Sequence, residues 1–291
     1  MRVRYIDFMK WRKVAIALSA FLMIGSIVLL FTKGLNLGID FTGGNVVQVE
    51  FPQAVEVGAV RDILTSKGQG NALIQAYSDT GLIIRMNAND DDVRKDVVDA
   101  LQTQYPGMQV TRLEKVGPVV GSELRREAYI ALSLALAGIL IYVTVRFQFR
   151  IAMVSVLALV HDVLITVGAT SLFNIEVSST FIAAILTIVG YSLNDSIVIF
   201  DRVRENWREL RTKGILQLVN DCINQTLSRT INTSLTTLMP VLCLYILGGE
   251  VLRTFSFAML IGLIAGIFST LFIATGVLVE WWIRSPRKDL A

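Results

Sequence analysis

The chain has 291 residues, 53% of them hydrophobic, and a mean hydropathy of +0.59. Soluble domains sit near about 45–50% apolar, so the composition is that of a membrane protein. A net charge of only +3 gives no reason to expect nucleic acid as the main partner. Two cysteines, Cys222 and Cys243, and a single histidine exclude a disulfide framework and a Cys/His metal cluster.

Residues 1–13 carry five Lys/Arg against one Asp and read as a cytoplasmic N-tail. An apolar run at 14–31 comes next, close to the roughly 20 residues that cross a bilayer. No small-residue cleavage site stands behind it, so it reads as an anchor and not a cleaved signal. Residues 32–127 are polar, and their apolar runs are too short to span. Within them the patterns predict strands at 45–51, 72–77, 81–86 and 108–116 and helices at 55–67 and 90–104. The order βαββαβ is that of a ferredoxin-like α+β domain. Asp90, Asp91 and Asp92 in the first turn of the second helix suit the positive end of its dipole.

Residues 128–283 hold five more spans: 128–145, 151–171, 180–200, 230–247 and 255–282. A basic loop at 201–229 has helical apolar spacing, through Val203, Trp207 and Leu210 and then Ile215, Leu218, Val219 and Ile223. Residues 284–291 form a basic tail. The N-tail, the 146–150 turn, the 201–229 loop and the tail hold 5, 2, 6 and 3 Lys/Arg; the two short opposite loops hold none and one. Positive charge marks the cytoplasmic side, so both termini are expected there and the 32–127 domain outside.

Two glycine-bearing segments flank that domain: Gly38-Ile39-Asp40-Phe41-Thr42-Gly43-Gly44, and Gly117-Pro118-Val119-Val120-Gly121 after Val116. They are either plain linkers or hinges. Neither has the lysine or the spacing of a phosphate loop, so nucleotide binding is rejected.

The stretch with most to explain is Gly190–Asn206. Asp195 lies inside its apolar run, about five residues or roughly 8 Å before the cytoplasmic end. A carboxylate at that depth is costly, which makes it a functional candidate by default. Tyr191, Ser192 and Ile199 share its helical face. Arg229, entering the fifth span, is expected at similar depth, within reach of Asp195 by snorkelling. His161-Asp162 lies near the middle of the third span. The plainer alternative is that these groups only hold helices together, at roughly 0.6 kcal/mol per contact. It suits Asn232, Thr233, Ser234 and Thr236, and a lone histidine such as His161. It suits Asp195 less well, because a structural contact needs no full charge. Gly262-x-x-x-Gly266 and Ala131-x-x-x-Ala135 read as small-residue packing faces.

Taken together, these motifs resemble the SecF family of protein-export membrane subunits. The resemblance rests on Gly38–Gly44, on Val116–Gly121, on His161-Asp162-Val163, on Gly190–Val198 with Asn194 and Asp195, on Phe200–Asn206 with Asp201 and Arg202, and on Ser228–Met239. It covers nearly the whole chain. It implies a six-span half of an RND-type unit, paired with a SecD-like subunit and associated with the SecYEG channel, often with YajC. It implies a location in the cytoplasmic (inner) membrane. The pair would act after SecA, pulling emerging preprotein outside the membrane with energy from a proton or sodium gradient. No cofactor, metal or enzymatic activity is implied. The coupling residues would be Asp195 and Arg229, with Asp162 and His161 carried at lesser weight. Gly38, Asp40, Gly43, Gly44, Gly117, Pro118 and Gly121 would be hinge or signature positions.

Three other readings compete. A half-size RND exporter of lipids or small molecules needs a larger external domain than about 90 residues. A purely structural subunit predicts that Asp195 and Arg229 tolerate neutral replacement. An intramembrane protease needs a catalytic set in a known motif, and neither Asp162 nor Asp195 sits in one.

Overall fold

A computed structural model describes residues 5–86 and 91–284. Residues 1–4, Asp90 at the expected start of the second external helix, and the tail residues 285–291 lie outside the described residues. The chain divides into two compact units, residues 37–130 and residues 1–36 with 131–291.

Helix α1 (Phe8–Thr32) opens the chain. In the 37–130 unit come a short helical turn, α2 (Ile39–Thr42), and strand β1 (Gly44–Glu50). Beyond them lie α3 (Val57–Ser66), β2 (Leu73–Ala76), β3 (Gly81–Met86), α4 (Asp91–Gln104) and β4 (Gln109–Val116). The sheet order is β2-β3-β1-β4 and every neighbouring pair is antiparallel. Register comes from alternation. Val47 and Val49 pair with Ile84 and Leu82. With Phe51 and Met86 they form one apolar face, which meets Val60 and Leu64 of α3 and Val97 and Leu101 of α4. Burying a side chain of this size contributes about 1.5–3 kcal/mol. On the opposite face Val46 and Ile83 pack on Ile39 of α2.

Asp91, in the first turn of α4, bonds Lys115 of β4 at 3.0 Å. The lysine holds this carboxyl below its usual range. That contribution is present at neutral pH and is lost as the pH falls through the lowered value.

The second unit contains α6 (Phe149–Leu172), α7 (Ser179–Glu205), α8 (Leu210–Leu247) and α9 (Gly249–Phe268), then a π-helical turn (Ser269–Ala274) and α10 (Thr275–Arg284). Helix α5 (Pro118–Arg146) is continuous, and its part from Ala131 onward belongs here. Among the described residues, six helical stretches are long and apolar enough to cross a bilayer. The molecule is a polytopic helical membrane protein.

The 201–229 segment, expected as a loop with helical apolar spacing, is nearly all helix. Helix α7 runs on to Glu205, a 3-10 turn covers Trp207–Glu209, and α8 starts at Leu210. The reason lies in the apolar spacing. Leu218, Val219 and Ile223 are fully buried with Phe200, Val203 and Leu278. Trp207 meets Trp282 edge-on, ring centroids 4.5 Å apart. A break at Gly214 (φ 73°, ψ 161°) lets the segment turn.

The start of α1 is capped from far along the chain. Asn220 of α8 accepts at Oδ1 from the Phe8 and Met9 amides (2.8 and 3.2 Å). Its Nδ2 donates to the Tyr5 hydroxyl and the Ile6 carbonyl (2.9 and 3.0 Å). These amides have no partner within the helix. Asn220→Ala therefore orphans buried groups and is expected to destabilise the bundle by about 1–3 kcal/mol, read as a lowered melting temperature in detergent. An unchanged melting temperature would show that the cap contributes nothing to stability.

Candidate functional site

Helix α7 carries Asp195 and α8 answers it. Asp195 is 8% exposed, and its Oδ2 accepts from Ser234 Oγ at 3.3 Å. Arg229 stands on the same helix as Ser234, five residues earlier. No ion pair within 4.0 Å forms between Asp195 and Arg229, and Arg229 is exposed. Arg229 lies a full turn or more from Ser234 along α8, and it is Ser234 that faces α7 at this level. One turn above Asp195, Tyr191 Oη and Thr237 Oγ1 are 2.5 Å apart and again bridge α7 to α8.

A narrow cleft of about 10 Å³ opens beside Asp195, lined by Tyr191, Ser192, Ser234, Gly262 and Gly266 among others. The glycines make it possible. A Cβ at Gly262 would stand 2.3 Å from Ile188 Cδ1, and one at Gly266 would stand 3.3 Å from Ser192 Cβ. Small residues let α9 approach α7 closely.

Asp162, on α6, is wholly buried and joins three segments. Its Oδ2 accepts from Ser192 of α7 at 2.6 Å and from Ser269 of the π turn at 2.8 Å. Its Oδ1 faces His161 Nδ1 at 2.8 Å. The next hydroxyl of the π turn, Thr270, is 3.0 Å from Ser196. An extra residue in a helical turn rotates the remainder of the helix, and such turns recur at functional sites. Here the turn points both hydroxyls into the bundle. By sequence Ser192 only shares a face with Asp195, and Ser196, Ser269 and Thr270 escape notice. The one available signal is a Ser-Thr pair inside the last apolar run.

The exposed Asn194 points away from this core. Asp201 pairs with Arg204 at 2.9 Å and approaches Arg146 of α5 at 3.7 Å. Arg202 donates to Gln225 of α8 at 2.5 Å and pairs with Glu205 at 2.8 Å. These helix-end residues tie α7 to its neighbours and stand apart from Asp195.

The two glycine segments meet within the 37–130 unit. Gly38 caps α2, and Asp40 lies in its first turn. Gly43 (φ 71°, ψ 168°) and Gly44 (φ 125°) both have positive φ. Gly117 precedes Pro118, the first residue of α5, where proline fits without loss. A Cβ at Gly121 would lie 3.1 Å from the Gly43 amide nitrogen and 3.5 Å from the Asp40 carbonyl oxygen. Arg125 bonds the Phe41 carbonyl at 2.5 Å. Gly43 occupies a region essentially closed to other residues. Gly43→Ala is expected to cost about 1–3 kcal/mol and to speed amide exchange along β1. Gly117→Ala, whose Cβ meets nothing within 4 Å, should leave exchange unchanged. Equal behaviour of the two variants would show that the Gly43 backbone is under no such constraint.

A family model described as protein export membrane protein SecD/SecF, C-terminal, matches residues 96–284. A second, described as the SecD/SecF GG motif, matches residues 28–55. The chain belongs to the SecF family. It is 41% identical to the protein translocase subunit SecF of Pseudomonas aeruginosa over 100% of this chain and 95% of that one. It is 39% identical to the SecF of Escherichia coli O157:H7 over 94% and 87%. A crystal structure of SecDF from Thermus thermophilus, described as a translocon-associated membrane protein, is 40% identical and superposes with a TM-score of 0.91. It covers 98% of this chain, which spans 39% of that SecDF chain. A SecDF in a super-membrane-facing form gives a TM-score of 0.74 at 40% identity. The segment Gly38–Gly44 thus falls inside the SecF family's GG-motif match, and Asp162, Asp195 and Arg229 fall inside the longer one.

Proposed function

We propose that this chain is the SecF half of a SecD–SecF unit that uses a proton or sodium gradient to promote late steps of preprotein translocation across the cytoplasmic membrane. Its partners are a SecD-like subunit, the SecYEG channel and YajC, with SecA acting upstream on the same preprotein. Both termini lie in the cytoplasm and the chain is one RND-type half. Residues 44–116 form a ferredoxin-like domain outside the membrane; the element order βαββαβ and the antiparallel sheet order β4-β1-β3-β2 support that reading. The chain works as a transport component and not as an enzyme.

The observation that carries the reading is Asp195, a buried carboxylate at membrane depth that accepts a serine hydroxyl from the next helix. Such a group changes charge when an ion arrives or leaves, and the packing between α7 and α8 changes with it. The glycine segments 38–44 and 116–121, as hinges, then pass the change to the external domain, which holds or releases the emerging chain.

The test is preprotein translocation into inverted vesicles that contain the channel, a SecD-like subunit and this chain. With ATP-driven entry begun, an imposed ion gradient should speed completion only when the chain is present. A gradient that stimulates equally in its absence would refute the reading.

A further inference from the structure

The bundle holds a second buried carboxylate that the Asp195–Arg229 pair leaves unexplained. Asp162 gathers three partners: the hydroxyls of Ser192 and Ser269 and the His161 ring. At 2.8 Å, one proton lies between His161 Nδ1 and Asp162 Oδ1. The other ring nitrogen, His161 Nε2, is buried with no hydrogen-bond partner among the described residues, in a side chain only 2% exposed. An orphaned buried polar atom costs about 1–3 kcal/mol. An asparagine in place of His161 could satisfy a neighbour without it, so packing alone does not account for an imidazole here.

The cleft beside Asp195 supplies a second, independent observation. Its volume of about 10 Å³ is close to what one water needs. Ser192 belongs to both places: it lines the cleft with Asp195, and its hydroxyl donates to Asp162 at 2.6 Å. Gly266 keeps them in reach of each other. A Cβ there would stand 3.3 Å from Ser192 Cβ and 3.6 Å from Asp162 Oδ2.

We propose that Asp162 and His161 form a second proton-holding site, joined to Asp195 by the Ser192 hydroxyl and one water in the cleft against Gly266. The proposal rests on the reading of Asp195 as the coupling carboxylate. The transfer balances. The Asp195 carboxylic acid gives its proton to the water, the water gives one to Ser192 Oγ, and Ser192 passes its own to Asp162 Oδ2. Asp195 is left as carboxylate and Asp162 becomes neutral, while water and serine are regenerated. The imidazole keeps Nδ1–H on Oδ1 throughout and holds Asp162 in place.

The charged groups facing this route are few among the described residues. Helix α6 brings His161 and Asp162, α7 brings Asp195 and α8 brings Arg229. Helix α9 and the π turn present glycine and serine. Helices α1 and α10 bring Arg12 and Glu280, which pair with each other at 3.0 Å.

The test is infrared titration of the full chain with its SecD-like partner in lipid nanodiscs. Asp162→Asn identifies the carboxyl band of Asp162. Asp195→Asn should move the midpoint of that band by about one pH unit or more, as expected for coupled sites. Gly266→Ala, which fills the cleft, and Ser192→Ala, which removes the bridge, keep every titratable group. Each should slow exchange of the Asp162 proton with deuterated water at least tenfold. An unmoved midpoint in Asp195→Asn, or exchange unaffected by both bridge variants, overturns the proposal. If Asp162→Asn does not assemble, the band is assigned by its response to Ser192→Ala, and the same outcomes decide. Gradient stimulation of Asp195→Asn is scored separately. Full stimulation there defeats the coupling reading itself; lost stimulation with an unmoved Asp162 band defeats only the second site.

Discussion

Asp195→Asn is expected to remove gradient-driven stimulation of translocation while leaving the subunit complex assembled. Asparagine has nearly the same shape, and its carbonyl oxygen still accepts from Ser234, so α7 and α8 stay in contact. What it cannot do is change charge. One elementary charge moved through 100 mV is worth about 2.3 kcal/mol, and about 1.4 kcal/mol is a factor of ten. A single titrating carboxyl can thus bias two packings by roughly fifty-fold, and its amide by nothing. Asp195→Glu should restore part of the stimulation. Because no ion pair joins Asp195 to Arg229 in this state, Arg229→Gln should also spare assembly and reduce stimulation. Full stimulation in Asp195→Asn, measured in the same vesicles, would make Asp195 a packing residue and the chain a scaffold for its partner.

The second large effect lies where α1 crosses α6. A Cβ at Gly168 would stand 2.2 Å from Ser26 Oγ, 2.4 Å from its Cβ and 2.9 Å from its Cα. A hydroxyl can rotate away, but a Cα cannot, so the helices must separate. Gly168→Ala is expected to destabilise the bundle by about 3 kcal/mol, the upper end for overpacking, and Gly168→Val by more. Ser26→Gly deletes two of the three clashing atoms and should recover a measurable part of the loss, which a double-mutant cycle reads as coupling. If Gly168→Ala melts at the wild-type temperature, α1 and α6 are not closely packed at this crossing.

Much of the architecture is written in local patterns. Helical spacing at 57–66 marks its element because that helix buries one face, and the Ser78-Asp79-Thr80 turn marks the strands on either side of it. Asp195 stands out because a carboxylate in an apolar run has few bland explanations. Other features depend on information that no local window holds. Depth along a span can be counted, but rotation about its axis cannot. Asp195 and Arg229 therefore look adjacent by sequence, while Ser234 is the residue that turns toward α7. Serines are common in spans, so nothing in the sequence singles out Ser192 and Ser269 as partners of Asp162. The contact of Gly121 with Gly43 joins segments far apart in the chain. The 201–229 stretch reads as a loop because its charges mark the membrane exit, yet its apolar stripe has a core to fill.

The cap on α1 has a consequence for how the molecule is made. The amides of Phe8 and Met9 wait for Asn220, up to 212 residues downstream. At ribosomal speeds of about 5–20 residues per second, that is a wait of roughly 10–40 s. The first helix to enter the bilayer is thus among the last to be finished. Until α8 emerges, the N-terminal end of this helix is an open hydrogen-bonding site that only the later part of the chain can fill.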